Sequence, residues 1–200
     1  MMQAPVKTPF ITEQSLPFPA DLYRRYPETP SNCYWLWPGR LMAGPWPGGS
    51  CMRTGPKLLR RLTDAGIRLF VDLTEDHESD AVNRNRPYAP DLAVVAGEDG
   101  IGLSIHRLPV RDMDVPRDAG AFEHTLDLID RAIGEGKGVY VHCHAGLGRT
   151  GVLICCWMLR RGLAGTGNVF KTLDAVRGFY DADPYAESPQ NELQRRWVVE

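Results

Sequence analysis

Residues 138–161 restrict the fold of this chain more than any other stretch. Gly138-Val139-Tyr140-Val141-His142 reads as a short strand apolar on both faces. Arg149 to Arg161 reads as a helix that is apolar nearly all round. A strand and a helix of that kind need cover on every side, which places both at the centre of a sheet with helical layers. Between them lies His142-Cys143-His144-Ala145-Gly146-Leu147-Gly148-Arg149-Thr150-Gly151, a turn with two glycines before the helix begins.

The flanking periodicities fit that centre. Tyr34 to Trp37 and Arg40 to Ala43 predict short strands separated by Pro38-Gly39. Leu58, Leu59, Leu62 and Ala65 share a helical face, with Pro56 at its start and Gly66 at its end. Ile67 to Leu73 and Leu103 to Val110 predict two more strands, and Phe122, Leu126, Ile129 and Ile133 the stripe of a helix from about Ala119. Val169, Phe170, Leu173 and Val176 mark another helix, and Ser188-Pro189 opens a last one. The class is α/β, with a central mostly parallel sheet flanked by helices. Residues 1–32 hold six prolines and little periodicity, which predicts an extended or partly ordered arm that Phe10, Leu16, Phe18 and Tyr23 anchor to a domain at 33–200.

Lys and Arg total 23 against 25 Asp and Glu, a formal net charge of −2, which argues against a surface that coats nucleic acid or anionic membrane. No transmembrane span is expected, because the longest apolar run, Val152 to Leu159, is under half of the roughly 20 residues a bilayer requires. Met1 to Phe10 has no apolar core of a secretory signal. Five cysteines with no framework spacing point to reduced thiols and a cytoplasmic setting.

A strand, a glycine-bearing turn and a helix N-terminus together make an anion site. Backbone N–H groups converge there, and the helix dipole adds partial positive charge. Cys143 opens the turn and Arg149 ends it. A thiol in such a field is favoured as thiolate, the nucleophilic form. An arginine at the far lip grips two oxygens of one phosphate, which lysine cannot do. Gly146 and Gly148 allow close approach of backbone to ligand, and the Thr150 hydroxyl is placed to donate to the thiolate. The spacing alone carries little weight, because Cys155 and Arg161 repeat it inside the apolar helix, with neither glycines nor a preceding strand. Context separates the two pairs.

In that context, His142 to Gly151 resembles the phosphate-binding loop of the cysteine-dependent dual-specificity and tyrosine phosphatase superfamily, H-C-x-x-G-x-x-R-[ST]-G. Leu108-Pro109-Val110-Arg111-Asp112-Met113-Asp114-Val115-Pro116 resembles the superfamily's mobile acid loop. The resemblance runs in element order from about Tyr34 to Phe179. It implies two-step hydrolysis of a phosphomonoester. Cys143 attacks phosphorus, Arg149 and the amides of residues 144–148 hold the phosphoryl oxygens, and an Asp protonates the leaving group, then activates water. Asp112 fits the spacing better than Asp114, which remains the alternative. No metal or cofactor is implied, since the cavity supplies the positive charge.

The expected substrate is a phosphorylated protein. The loop holds no Lys, which sets a phosphoinositide substrate second, and an RNA 5′-phosphatase gains no support from the charge. A catalytically silent phosphate-binding scaffold would lack the Cys, the Arg or the acid, and all are present. His142 is expected to hydrogen-bond the loop rather than shuttle protons, and a His142-Cys143-His144 metal site lacks further ligands. His144 and Leu147 are expected at the pocket rim. Glu75, Asp76 and Glu78 either flank the mouth and disfavour acidic substrates or form a solvated loop. Gln190 either positions water, as a glutamine does in classical tyrosine phosphatases, or is an ordinary first-turn residue. Cys155 and Cys156 are core residues or resolving thiols for an oxidised Cys143. Tyr34 to Trp37 pack the core or stack on a substrate ring.

Overall fold

The computed structural model describes residues 15–48, 55–79, 87–182 and 186–200. Five strands form one sheet: β1 (Tyr34–Trp37), β2 (Leu41–Gly44), β3 (Ile67–Asp72), β4 (Ser104–Arg107) and β5 (Gly138–His142). Their spatial order is β1-β2-β5-β3-β4, with β1 antiparallel to β2 and every other pair parallel. β5 is thus the middle strand, as its two-sided apolar composition requires.

Side-chain alternation sorts the two faces. Leu41, Ala43, Leu69, Val71, Val139 and Val141 enter one core with the apolar sides of α4 (Ala119–Gly134), α5 (Gly148–Arg160), α6 (Val169–Phe179) and α7 (Glu192–Val199). Trp35, Met42, Phe70 and Tyr140 enter the other core with α2 (Gly55–Asp64) and α3 (Ala89–Asp99). The sheet therefore lies between two helical layers, and α5 is largely covered because the three other helices of its layer and the sheet surround it. Asp118 caps α4 by accepting from the Ala121 N–H.

Three parts differ from the sequence expectation. α3 is not among the elements the periodicity predicts: it buries only Leu92 and Val95, although Pro90 near its start and left-handed Gly100 at its end are helix signals. The last helix begins at Glu192, not at Ser188-Pro189, because the Asn191 side chain caps it by accepting from the Gln194 N–H. The arm carries a short helix, α1 (Ala20–Arg24). Tyr23 from it is fully buried and donates to the Leu36 carbonyl at 2.7 Å, and Phe18 stacks on Trp37 with centroids 5.0 Å apart. Leu16 packs on the same core; Phe10 and Cys51 lie outside the described residues. Tyr34, Trp35 and Leu36 are buried packing residues, and Trp37 is half-buried between Phe18 and Trp157.

Candidate active site

At the C-terminal edge of the sheet, His142 of β5 pairs with Gly44 of β2 and Asp72 of β3. That edge of the central strands is where ligands collect in α/β sheets. The turn after His142 is pinned from both sides: the Leu73 N–H donates to the His142 carbonyl at 3.0 Å and the Trp46 N–H to the His144 carbonyl at 2.9 Å. Gly146 is left-handed (φ +74°), and a Cβ there would sit 2.3 Å from the Gly44 carbonyl carbon. Conformation and space both demand glycine. Gly148 lies against two carboxamides, with a Cβ meeting Gln190 Oε1 at 2.6 Å and Gln194 Nε2 at 2.9 Å. The turn is thus clamped between the end of β2 and the segment leading into α7.

Cys143 opens the turn, 2% exposed and with a free thiol. Thr150 is buried in the first turn of α5, and its hydroxyl has no hydrogen-bond partner among the described residues. His144 and Ala145 are exposed, Leu147 is half-buried, and Gly146 and Gly148 are buried.

Arg149 is the buried cation of the site, its side chain 1% exposed. Nη1 and Nη2 donate to the two carboxylate oxygens of Glu78 at 2.5 and 2.8 Å, and Nη1 also donates to the Val110 carbonyl at 2.9 Å. Asp112 Oδ1 lies 3.0 Å from Nη2. Nε is buried and has no hydrogen-bond partner among the described residues, so one donor of the fork is unused there. Glu78 comes from a single 3-10 turn, Asp76–Ser79, that follows β3. Burial pushes its carboxyl up, but Arg149 and the Glu75 N–H outweigh that and hold it below the usual carboxylate value. The solvated-loop reading holds for exposed Asp76, which pairs with Arg107, and fails for Glu78, which anchors the guanidinium.

The two candidate acids face different ways. The Asp112 carboxylate reaches the Arg149 guanidinium while its side chain stays 62% exposed. Asp114 turns back on its own loop: it accepts from the Val115 N–H at 2.9 Å and pairs with Arg117 at 3.1 Å. Those two contacts hold its carboxyl below the usual value.

His142 is fully buried, with Nδ1 3.2 Å from the Cys143 carbonyl and Nε2 2.8 Å from the Tyr88 hydroxyl. A carbonyl only accepts, so Nδ1 carries the proton and Tyr88 donates to Nε2. Burial pushes the imidazole pKa down, so the neutral ring is favoured. Because the unfolded chain takes up that proton below pH ~6.5 and the native one resists it, stability falls as pH drops from about 6.5 toward 5. His106, pushed down by burial and by His124, acts in the same direction. The melting temperature of His142→Gln is therefore expected to depend less on pH over that window than the parent's, with the His106 part remaining. Carboxylates such as Glu78 titrate below it.

Burial raises the pKa of Cys33 to about 11, of Cys156 to about 12, and of Cys155 well above its ordinary value. Residues 51–163 match the family model described as a polymorphic toxin system DSP-PTPase phosphatase. The chain belongs to this family. Among curated proteins, "Putative tyrosine phosphatase 067L" of Invertebrate iridescent virus 3 is 28% identical over 152 residues, 70% of this chain and 55% of the viral protein. The chain thus spans about half the length of that relative. Among solved structures, the human tyrosine phosphatase-like serine/threonine/tyrosine-interacting protein superposes with a TM-score of 0.60 at 18% identity, over 83% of this chain and 92% of that one. PTPMT1 in complex with PI(5)P superposes with a TM-score of 0.56 at 17% identity, covering 80% and 90%. At those identities the shared property is the fold.

In this chain the sequence-derived candidates Cys143, Arg149, Thr150, Asp112 and residues 144–148 lie at one edge of the sheet, and Gln190 joins them at Gly148. Asp114 does not reach the guanidinium. Tyr88 at His142, Gln194 at Gly148 and Asn191 at Met113 carry no local motif and were reachable only through the fold. Among the described residues no cluster of His, Cys, Asp or Glu has metal-site geometry, and no helix is long and apolar enough to cross a membrane.

Proposed function

We propose that this chain hydrolyses phosphomonoesters of phosphoprotein through a cysteinyl-phosphate intermediate on Cys143. The observation that carries the reading is the convergence at one sheet edge of a free thiol, a glycine turn leading into the N-terminus of α5, and a buried arginine whose Nε–H has no partner among the described residues, beside an exposed carboxylate. Cys143 Sγ attacks phosphorus as the bond to the leaving oxygen breaks, and Asp112 gives that oxygen its proton. The amides of the turn and Arg149 hold the three phosphoryl oxygens as charge shifts onto them. In the second step Asp112 takes a proton from a water that displaces Sγ, with the Thr150 hydroxyl donating to the departing thiolate and the Gln190 carboxamide orienting the water. A reducing, cytoplasmic compartment belongs to this reading, because the nucleophile acts only as a free thiol.

A loop without Lys gives a polyphosphorylated inositol headgroup no cation besides Arg149, which favours protein over lipid. A silent scaffold is disfavoured because thiol, guanidinium and carboxylate are all in place. Acid-quenching the enzyme during turnover of a labelled aryl phosphate is expected to trap label on Cys143; no label under rapid mixing would overturn the intermediate. Asp112→Asn is expected to lower turnover ~10²-fold or more and to remove the basic limb of its pH profile, with the greater loss on poor leaving groups. Asp114→Asn is expected to keep that limb. The reverse pattern would reassign the acid.

A further inference from the structure

Two carboxamides near the start of α7 share one arrangement. The Asn191 oxygen accepts from the Gln194 N–H at 2.9 Å, and its Nδ2 donates to the Met113 carbonyl at 2.9 Å. The Gln194 oxygen accepts from the Gln190 N–H at 3.1 Å, and its Nε2 donates to the Asp114 carbonyl at 3.1 Å. The orientation of each amide follows from its partners, since a backbone N–H must face oxygen and a carbonyl must face nitrogen. Both oxygens are used by the segment entering α7, and both NH₂ groups reach consecutive carbonyls of the acid loop. Asn191 and Gln194 thus tie the acid loop to the element that abuts Gly148 in the phosphate-binding turn.

The loop has reason to need the tie. Met113, between Asp112 and Asp114, is a left-handed residue (φ +62°) whose side chain is 47% exposed. A non-glycine residue in that region costs about 1–3 kcal/mol and persists only where the surroundings impose it. Within the loop, the described bonds are those of the turn itself: the Asp114 N–H to the Arg111 carbonyl and the Val115 N–H to the Asp114 carboxylate. The two carboxamides act on the residue with the unfavourable φ and on its successor, next to the carboxylate that meets Arg149.

We propose that Asn191 and Gln194 are positioning residues that latch the acid loop over the site and hold Asp112 where it protonates the leaving group. This rests on Asp112 as the acid. It predicts that the latch acts on leaving-group protonation and not on phosphate binding.

The oxygens and nitrogens of these amides separate cleanly by substitution. Asn191→Asp keeps the acceptor that caps α7, and Asp is as good a cap as Asn, but it deletes the donor to the Met113 carbonyl. Asn191→Ser also keeps a cap, brings no charge, and is too short to reach that carbonyl. Gln194→Glu deletes the second donor, at a buried position where a new charge threatens folding, so the Asn191 pair carries the test. Melting temperature, inorganic phosphate binding, and turnover of aryl phosphates with good and poor leaving groups are measured for Asn191→Asp, Asn191→Ser and Asp112→Asn.

Both Asn191 variants are expected to melt near the parent and bind phosphate unchanged. They are expected to lose ~10-fold in turnover of phenyl phosphate and only ~2-fold or less for a dinitrophenyl ester, part of the full general-acid contribution. The basic limb of their pH profile should flatten. An equal loss on every substrate, or no loss on any, overturns the latch. If Asp112→Asn shows leaving-group dependence and neither Asn191 variant does, the latch fails while the acid assignment stands. If Asp112→Asn shows none, the acid assignment fails first and takes the latch with it.

Discussion

Replacing Cys143 by Ser is expected to lower turnover of an aryl phosphate by ~10⁴-fold or more while leaving phosphate binding within a few-fold of the parent, in line with the cost of losing an enzymatic nucleophile. The alcohol that replaces the thiol ionises far less readily, and no neighbouring side chain serves it as a base. His142 is not available: its Nδ1 proton is given to the Cys143 carbonyl, and its Nε2 accepts from Tyr88. Binding is expected to stay intact because, in the proposed reading, it rests on turn amides and Arg149, which the substitution does not touch. Steady-state kinetics and titration with inorganic phosphate check both halves. Retained activity in Cys143→Ser would sink the mechanism, and joint loss of binding and activity would show that the turn had collapsed.

Arg149→Lys is expected to lower kcat/KM by ~10³-fold or more, at or above the cost of removing one oxyanion donor, although the charge is kept. The guanidinium does two tasks with different nitrogens. Its Nη atoms donate to Glu78 and the Val110 carbonyl, and its Nε is the donor with no partner among the described residues. A lysine ammonium can satisfy Glu78 or reach for phosphate, but its single nitrogen cannot do both in fixed geometry. Arg149→Met separates the tasks further. It takes the guanidinium away from the largely buried Glu78 carboxylate, a cost at the lower end of the about 3–5 kcal/mol seen when one partner of a buried pair is removed. Adding Glu78→Gln to Arg149→Met is expected to restore much of the melting temperature and none of the activity. Recovery of activity in that double variant would show that Arg149 serves only to neutralise Glu78.

The centre of the molecule was legible because its physics is local. An all-apolar strand followed by a glycine turn and an all-apolar helix has few places to go, and the order of elements around it fits a central β5. α3 was not legible because its apolar face is narrow, only Leu92 and Val95 being buried, so no strong 3.6-residue period is written into it. The start of α7 was misplaced because Ser188-Pro189 looks like a helix opening, whereas the cap is the Asn191 side chain. Asp112 and Asp114 could be ordered by spacing but not separated, since both are short loop carboxylates two residues apart. What distinguishes them is a contact to an arginine 37 residues away for one and to its own loop for the other.

The sequence by itself determined the class of fold, the family, and the glycine turn between β5 and α5, because glycine at 146, the thiol at 143 and the arginine at 149 stand within ten consecutive residues. Only the tertiary structure decided what surrounds that turn. Glu78 anchors Arg149, Tyr88 fixes the tautomer of His142, and Asn191 and Gln194 hold the acid loop, each from an element distant in sequence. Such partners are chosen by distance and direction in space, and a hydrogen bond between residues dozens of positions apart leaves no period or spacing in the chain.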